Sequence, residues 1–207
     1  MLAIIGNEAQ QEELVASLPT KKLPENVSWL LQPTHTPLAV CIDLLFDNTK
    51  DRIALLENNY SLVIVNNALC GHAPLPPHFV SINGWDGFLQ KKLIEAYTTN
   101  ASIKAAAEEA MSMFEKKLMW VTHSSVFIST RIIAMIINEA YTALAENTAT
   151  KEAIDTAMQL GTHYPYGPFE WSRKIGLKRI YHLLSVLALS HPKYTPNALL
   201  VKEASLL

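Results

Sequence analysis

Five short motifs in the C-terminal part of the chain decide its fold: RIIAMIINEA (131–140), AIDTAMQLG (153–161), YPYGPFEW (164–171), GL (176–177) and KYTPNALL (193–200). The segments that carry them have helical spacing, and Thr150 is suited to cap the N-terminus of the second one. The segment Val126–Leu144 is apolar on nearly every face, which predicts a helix buried on all sides, at the centre of its domain or at a subunit interface. The pattern predicts helices from Val126 to Leu207.

The front of the chain has a different pattern, in which short apolar runs alternate with helical segments. The runs have the composition of buried strands, and this alternation predicts βαβ units on a parallel sheet. They are Leu2–Ile5, Pro37–Leu45, Leu62–Val65 and Phe79–Ile82, with Leu118–Val121 as a closing strand. We therefore expect an α/β domain over residues 1–121 and an all-α domain over residues 122–207.

Composition excludes several classes of protein. A hydrophobic content of 49% with 17% charged residues indicates a globular protein, and the net charge of −2 gives no basic surface for nucleic acid or an anionic membrane. The longest apolar run, Ile132–Ile137, is far shorter than a membrane span. The N-terminus lacks a basic signal region, so we expect a cytoplasmic protein in which Cys41 and Cys70 are reduced. No metal site is expected, because the seven histidines lack ligand spacing.

The order and spacing of the five motifs resemble the C-terminal domain of the 3-hydroxyacyl-CoA dehydrogenase family. The resemblance implies a Rossmann-like N-terminal domain, here abbreviated, because the family's helical insert has no room between Leu45 and Leu62. It also implies NAD as cofactor, an acyl-CoA-like ligand between the domains, and a homodimer formed through the helical domain.

The first strand leads into the place where a dinucleotide fold needs Gly-x-Gly-x-x-Gly. The chain keeps Gly6, but Glu8 and Gln11 occupy the other two positions. Glu8 would also bring a carboxylate close to a phosphate at a helix N-terminus. The pattern therefore favours a βα turn without a nucleotide, and Gly6 is the one candidate cofactor-binding residue.

The resemblance also assigns catalytic positions, and several of them depart from the family pattern. The general-base His of the family corresponds to Asn83, whereas the Glu that orients this His is retained as Glu95. The substrate-binding Asn corresponds to Thr130, and the Ser of the catalytic pocket corresponds to Leu69. A competing interpretation of Asn83-Gly84 is a tight type I′ turn, which this dipeptide favours.

Two hypotheses for function follow. In the first, the chain is a degenerate member of the family that binds an acyl-CoA-like or other apolar carboxylic ligand, or acts as a dimeric partner in fatty-acid metabolism, without hydride transfer and without a cofactor. In the second, it is an active NAD-dependent dehydrogenase that uses other residues, such as Glu95 with His78 or His123. Asn cannot accept a proton near neutral pH, and this favours the first hypothesis.

Overall fold

The computed structural model describes residues 2–33, 38–69, 74–122 and 126–207. The chain divides into two compact units, residues 1–127 and residues 128–207. The boundary expected after Val121 lies directly behind the last strand of the first unit, β7 (Lys117–Trp120). Each unit is described by itself below.

A twisted sheet forms the first unit, with helices that connect its strands. Its elements are β1 (Leu2–Ile5), α1 (Glu8–Val15), β2 (Val27–Leu30), β3 (Leu38–Asp43), α2 (Lys50–Asn59), β4 (Tyr60–Asn66), β5 (Phe79–Ile82), β6 (Leu93–Tyr97), α3 (Lys104–Ser112) and β7. The strand order is β2-β1-β3-β4-β5-β6-β7. Strands β1 to β5 are parallel, β6 is antiparallel to β5, and β7 is parallel to β6.

Both faces of the central strands are buried, which explains why they read as unbroken apolar runs rather than alternating ones. On one face Ile4 and Ile64 belong to a core cluster with Leu14 of α1 and Phe114. On the other face the core includes Leu56 of α2. Each such side chain contributes about 1.5–3 kcal/mol when it is fully buried.

The predicted fold class, a Rossmann-like α/β unit followed by helices, is confirmed. Strands Leu2–Ile5 and Phe79–Ile82 have the predicted bounds. The expectation of a wholly parallel sheet is wrong at β6. A single helix, α2, joins β3 to β4, so no further helix is inserted there.

The second unit consists of helices: α4 (Ile128–Ala145), α5 (Lys151–Thr162), α6 (Pro168–Ile175), α7 (Leu177–Ala188) and α8 (Ala198–Ser205). Within its own unit helix α4 is not buried on all sides, because Ile128 is 52% exposed and Ile132 is 49% exposed, and its expected burial at a subunit interface stays a prediction. Its buried face holds Ile133, Ile137 and Tyr141. Among the described residues, no helix combines the length and the apolar character needed to cross a membrane.

The residues of the five motifs mainly hold the helices of this unit together. The side chain of Asn138 donates to the Thr195 carbonyl oxygen (3.1 Å) and accepts the Asn197 N–H (2.7 Å), so α4 fixes the segment before α8. Asp155 of α5 accepts the N–H groups of the first turn of α6. A Cβ at Gly167 would lie 2.4 Å from the Asp155 side chain, so the close approach of α5 to this turn requires glycine.

Candidate functional site

The order of the strands creates a switch point beside β1. The chain places β2 on one side of β1 and then crosses to place β3 on the other. In open parallel sheets, ligands bind in the crevice outside the carboxyl ends of the two strands at this point, here β1 and β3. The turn from Gly6 into α1 forms one wall of this crevice.

The N-terminus of α1 already has its hydrogen bonds supplied by the chain itself. The Gln10 N–H donates to Asn7 Oδ1 (2.9 Å), and the Asn7 N–H donates to Gln10 Oε1 (3.0 Å), forming a capping box. In dinucleotide-binding folds, amide groups of this turn bind the pyrophosphate. Here two of those donors are used by side chains instead.

The same Gln10 side chain spans the crevice. Its Nε2 group donates to the Leu44 carbonyl oxygen (3.0 Å) just beyond the end of β3, and Gln10 is buried. The Asn66 amide donates to the same oxygen (3.3 Å) from the end of β4. Two side-chain amides therefore connect the carboxyl ends of β1, β3 and β4.

Trp29 covers Gly6 from the neighbouring strand β2. Its indole Nε1 donates to the Gly6 carbonyl oxygen (3.0 Å), and a Cβ at Gly6 would lie 2.6 Å from an indole carbon, Cζ2. Gly6 does not have a positive φ. This contact explains why position 6 is a glycine. The cofactor role of Gly6 stays a prediction.

A buried ion pair supports the far wall of the crevice. Asp43, at the end of β3, is fully buried and accepts two hydrogen bonds from Arg52, from Nε (2.7 Å) and Nη2 (2.9 Å). The Leu45 N–H donates to the same carboxylate (3.0 Å). Burial raises the pKa of Asp43, and the hydrogen bonds from Arg52 oppose this rise; the same hydrogen bonding raises the pKa of Arg52. The two-bond geometry of the pair holds the loop that leaves β3.

The sheet brings Asn83 and Glu95 together, as the resemblance implies. The register Ser81↔Tyr97 and Ile82↔Ala96 continues to this pair, whose backbones bond through the Asn83 N–H and the Glu95 carbonyl oxygen (3.0 Å). Directly opposed residues lie on the same face of a sheet. Asn83 is 1% exposed and Glu95 is 7% exposed, so both are buried.

The competing interpretation of Asn83-Gly84 as a type I′ turn is wrong, because neither residue has the positive φ that this turn requires. Gly84 instead binds the Asn66 side chain, to which its N–H donates (3.0 Å). A Cβ at Gly84 would lie 2.9 Å from that side chain, which explains the glycine.

The other candidate positions do not converge on this pair within the first unit. His78 precedes β5 and Asn83 follows it, so roughly 16 Å of strand separates them. The suggested pairing of Glu95 with His78 is therefore wrong. His123 and Cys70 lie outside the described residues, and Cys41 is a buried free thiol. Thr130 is fully buried in the first turn of α4, in the second unit, and its catalytic role stays a prediction.

Sequence reasoning missed two residues that shape the crevice, Gln10 and Trp29. The spacing Asn7-x-x-Gln10 is close to a capping-box signature and was readable locally. Trp29 contacts a glycine 23 residues away, and no local pattern indicates that contact. Within the described residues, no group of three or more His, Cys, Asp or Glu side chains could hold a metal ion.

Comparison with known proteins agrees with the motifs. Residues 127–205 match the family model of the 3-hydroxyacyl-CoA dehydrogenase C-terminal domain. A 3-hydroxybutyryl-CoA dehydrogenase of Bradyrhizobium diazoefficiens is 37% identical over 113 residues, which are 54% of this chain and 39% of that protein. One from Clostridioides difficile is 29% identical over 164 residues, covering 77% of this chain and 58% of the relative.

Solved structures extend the similarity of fold to the whole chain. The (S)-3-hydroxybutyryl-CoA dehydrogenase of Ralstonia eutropha has a TM-score of 0.71 at 20% identity, over 97% of this chain and 92% of that one. The chain spans less than two thirds of the length of the two curated relatives named above. The chain is a relative of the 3-hydroxyacyl-CoA dehydrogenases, and residues 127–205 are the C-terminal domain of that family.

Proposed function

We propose that the chain is a degenerate relative of the 3-hydroxyacyl-CoA dehydrogenases, which binds an acyl-CoA-like or other apolar carboxylic ligand without NAD and without hydride transfer. It would act in fatty-acid metabolism as a ligand-binding protein or as a dimeric partner. The observation that carries this proposal is the set of hydrogen bonds at the turn after β1, where Gln10 caps the helix and bonds to Leu44, and Trp29 donates to the Gly6 carbonyl oxygen.

The electrostatics of the turn support the same conclusion. Glu8 is exposed in the first turn of α1, and in other folds the amides of such a first turn attract a phosphate. A pyrophosphate at this turn would meet a like charge and would have to displace the capping box. Both effects lower the affinity for NAD.

The chemistry of the buried pair supports the absence of hydride transfer. Oxidation of a hydroxyl group requires a base that takes its proton, and the Asn83 side chain cannot do so near neutral pH. Glu95 retains the position of an orienting carboxylate but has no histidine to orient at Asn83. The amide of Asn83 at the position where the resemblance implies the base supports the proposal.

The ligand class is inferred from the relatives. They are named for 3-hydroxyacyl-CoA substrates, and this chain retains the fold over most of its length. Loss of the cofactor contacts with retention of that fold is compatible with selection for binding rather than for oxidation. Native mass spectrometry of protein purified without added ligand is expected to show a bound CoA ester or apolar carboxylic acid.

The proposed absence of NAD binding can be measured directly. Isothermal titration with NAD and NADH is expected to show no binding at physiological concentrations of these cofactors. A dissociation constant of about 100 μM or tighter, which corresponds to roughly −5.5 kcal/mol, would contradict the proposal.

A homodimer through the helical unit is also proposed. Ile128, Ile132 and Ile136 are four residues apart on α4, and the first two are about half exposed, so they form an apolar stripe that a second copy would cover. Light scattering is expected to give a dimer mass for the wild type and a monomer mass for Ile132→Asp, with the melting temperature little changed. Exposed Glu139→Ala on the same helix is the control, and a wild-type monomer would contradict the proposal.

The alternative function is an active NAD-dependent dehydrogenase, and the names of the relatives favour it. It predicts NADH formation, followed by absorbance, when wild-type protein is mixed with NAD and a 3-hydroxybutyryl-CoA substrate. Loss of that activity in Glu95→Gln would identify Glu95 as part of the catalytic machinery and would overturn the proposal of a non-catalytic protein.

A further inference from the structure

We propose that Trp29 is the residue that excludes dinucleotides from the crevice, because its indole occupies the space over Gly6 that a bound dinucleotide would cross. This inference rests on the proposed function and deepens it, since it assigns the loss of NAD binding to one side chain outside the glycine pattern. The departures at Glu8 and Gln11 are then secondary.

The indole ring of Trp29 contacts the turn after β1 directly. The indole meets the turn at Gly6 closely enough that even a Cβ there would clash with it, at 2.6 Å. The indole also donates to the Gly6 carbonyl oxygen, so the ring is both oriented and held. A dinucleotide with its pyrophosphate at position 8 would extend past Gly6 toward the end of β2, where the ribose lies in such folds, and would meet the ring there.

The sheet and the core together hold Trp29 in position. Strand β2 lies at the edge of the sheet, next to β1, and Trp29 pairs with Ile4 two residues before Gly6. The ring also packs as a partly buried member of the core cluster that includes Ile4 and Leu14. This packing makes the closed arrangement part of the fold, and not a local choice of rotamer in a loop.

The effect of Trp29 is separable from that of the glycine substitutions. Glu8 is exposed, so replacing it with glycine removes a charge but leaves the indole in place. Restoring glycine at positions 8 and 11 should therefore not open the crevice. Removing the ring as well should free the space over Gly6, although the hydrogen bonds of Gln10 remain.

The experiment compares full-length variants by titration with NADH. The first variant combines Glu8→Gly with Gln11→Gly, and the second adds Trp29→Ala to these two changes. The matched control adds Trp120→Ala instead, which removes an indole from the edge strand β7 at the other end of the sheet, where it donates to Glu108 (2.6 Å). Circular dichroism establishes that each variant is folded. If Trp29→Ala prevents folding, Trp29→Val replaces it, because β-branched residues suit strands.

The variant without Trp29 is expected to bind NADH at least about tenfold more tightly than the double glycine variant and the Trp120 control. Equal affinity of the folded variants with and without Trp29 would overturn the inference and leave the proposed function standing. Tight NADH binding by the wild type would overturn both. Binding restored by the two glycines alone would show that the glycine pattern, and not Trp29, sets the specificity.

Discussion

One carboxylate of the helical unit, that of Asp155, is expected to contribute a large share of its stability. Asp155 accepts the N–H groups of Phe169 (2.7 Å) and Glu170 (3.1 Å), so a side chain of α5 caps the N-terminus of α6. Asp155→Ala would leave both amides without this acceptor, beside the buried ring of Phe169. The negative charge at the helix N-terminus would also be lost.

The magnitude follows from these two bonds. Hydrogen bonds to a charged group contribute about 1.5–3 kcal/mol each, and water can replace part of this at a half-buried site, so we expect a loss of about 2–4 kcal/mol. At about 2–4 °C per kcal/mol for a chain of this size, the melting temperature should fall by roughly 5–15 °C. Arg173 adds little, because it lies 3.7 Å from Asp155 and its side chain is 67% exposed.

Calorimetry and urea unfolding provide the assay, with a double-mutant cycle as its strictest form. Asp155→Asn, which keeps one acceptor oxygen, should lose less stability, and exposed Glu152→Ala on the same helix should lose little. Gly167→Ala would push its Cβ into the Asp155 carboxylate, so the double variant should lose less than the sum of the single losses. A change of less than about 0.5 kcal/mol in Asp155→Ala, or additive losses, would refute the reasoning.

Two further predictions concern the candidate site and the pH dependence of stability. Asn83→His alone should not produce NADH from a 3-hydroxyacyl-CoA, because the crevice remains closed, and an absorbance assay that detects robust turnover would contradict this. Burial opposes ionisation of Glu203, but hydrogen bonds from Lys151 (2.7 Å) and Tyr141 (2.7 Å) outweigh it, so the pKa of Glu203 lies below its ordinary 4.5. Because this pKa is lowered in the folded state, the stabilisation of about 1 kcal/mol or less is present above pH 4.5 and is lost as the pH falls through the lowered value. Glu203→Gln should lack that step in melting curves recorded against pH, and an unchanged step would contradict the assignment.

Most of the strands could be predicted from the sequence, including the edge strand β7, whereas β2 and β6 could not. β1 is a continuous apolar run, and β5 is apolar except for Ser81, so their bounds follow from composition. Strand β2 is an edge strand whose four residues are all half-buried, so it has neither an apolar run nor a clean alternation. Strand β6 contains Glu95, a residue that is rare in strands, and its antiparallel direction depends on its pairing with β5.

The candidate site also has features that the sequence predicts and features that it does not. The asparagine at position 83 and the altered glycine pattern can be read from the sequence alone. The contacts across the turn could not be predicted, because the Gln10 amide bonds to Leu44, 34 residues away, and Trp29 bonds to Gly6 from another strand. Such contacts depend on strand order, which local periodicity does not encode.

The distribution of the resemblance along the chain has a physical explanation. The motifs that carry it include Asn138, Asp155 and Gly167, and these residues make the hydrogen bonds and close approaches that assemble the helices. A chain that keeps this unit must keep these residues, whether or not it oxidises a substrate. Similarity there therefore argues for the fold. Apart from Thr130, the cofactor and catalytic positions that the resemblance assigns lie in the first unit, at Gly6, Asn83 and Glu95, so similarity of the helical unit carries no argument for the activity.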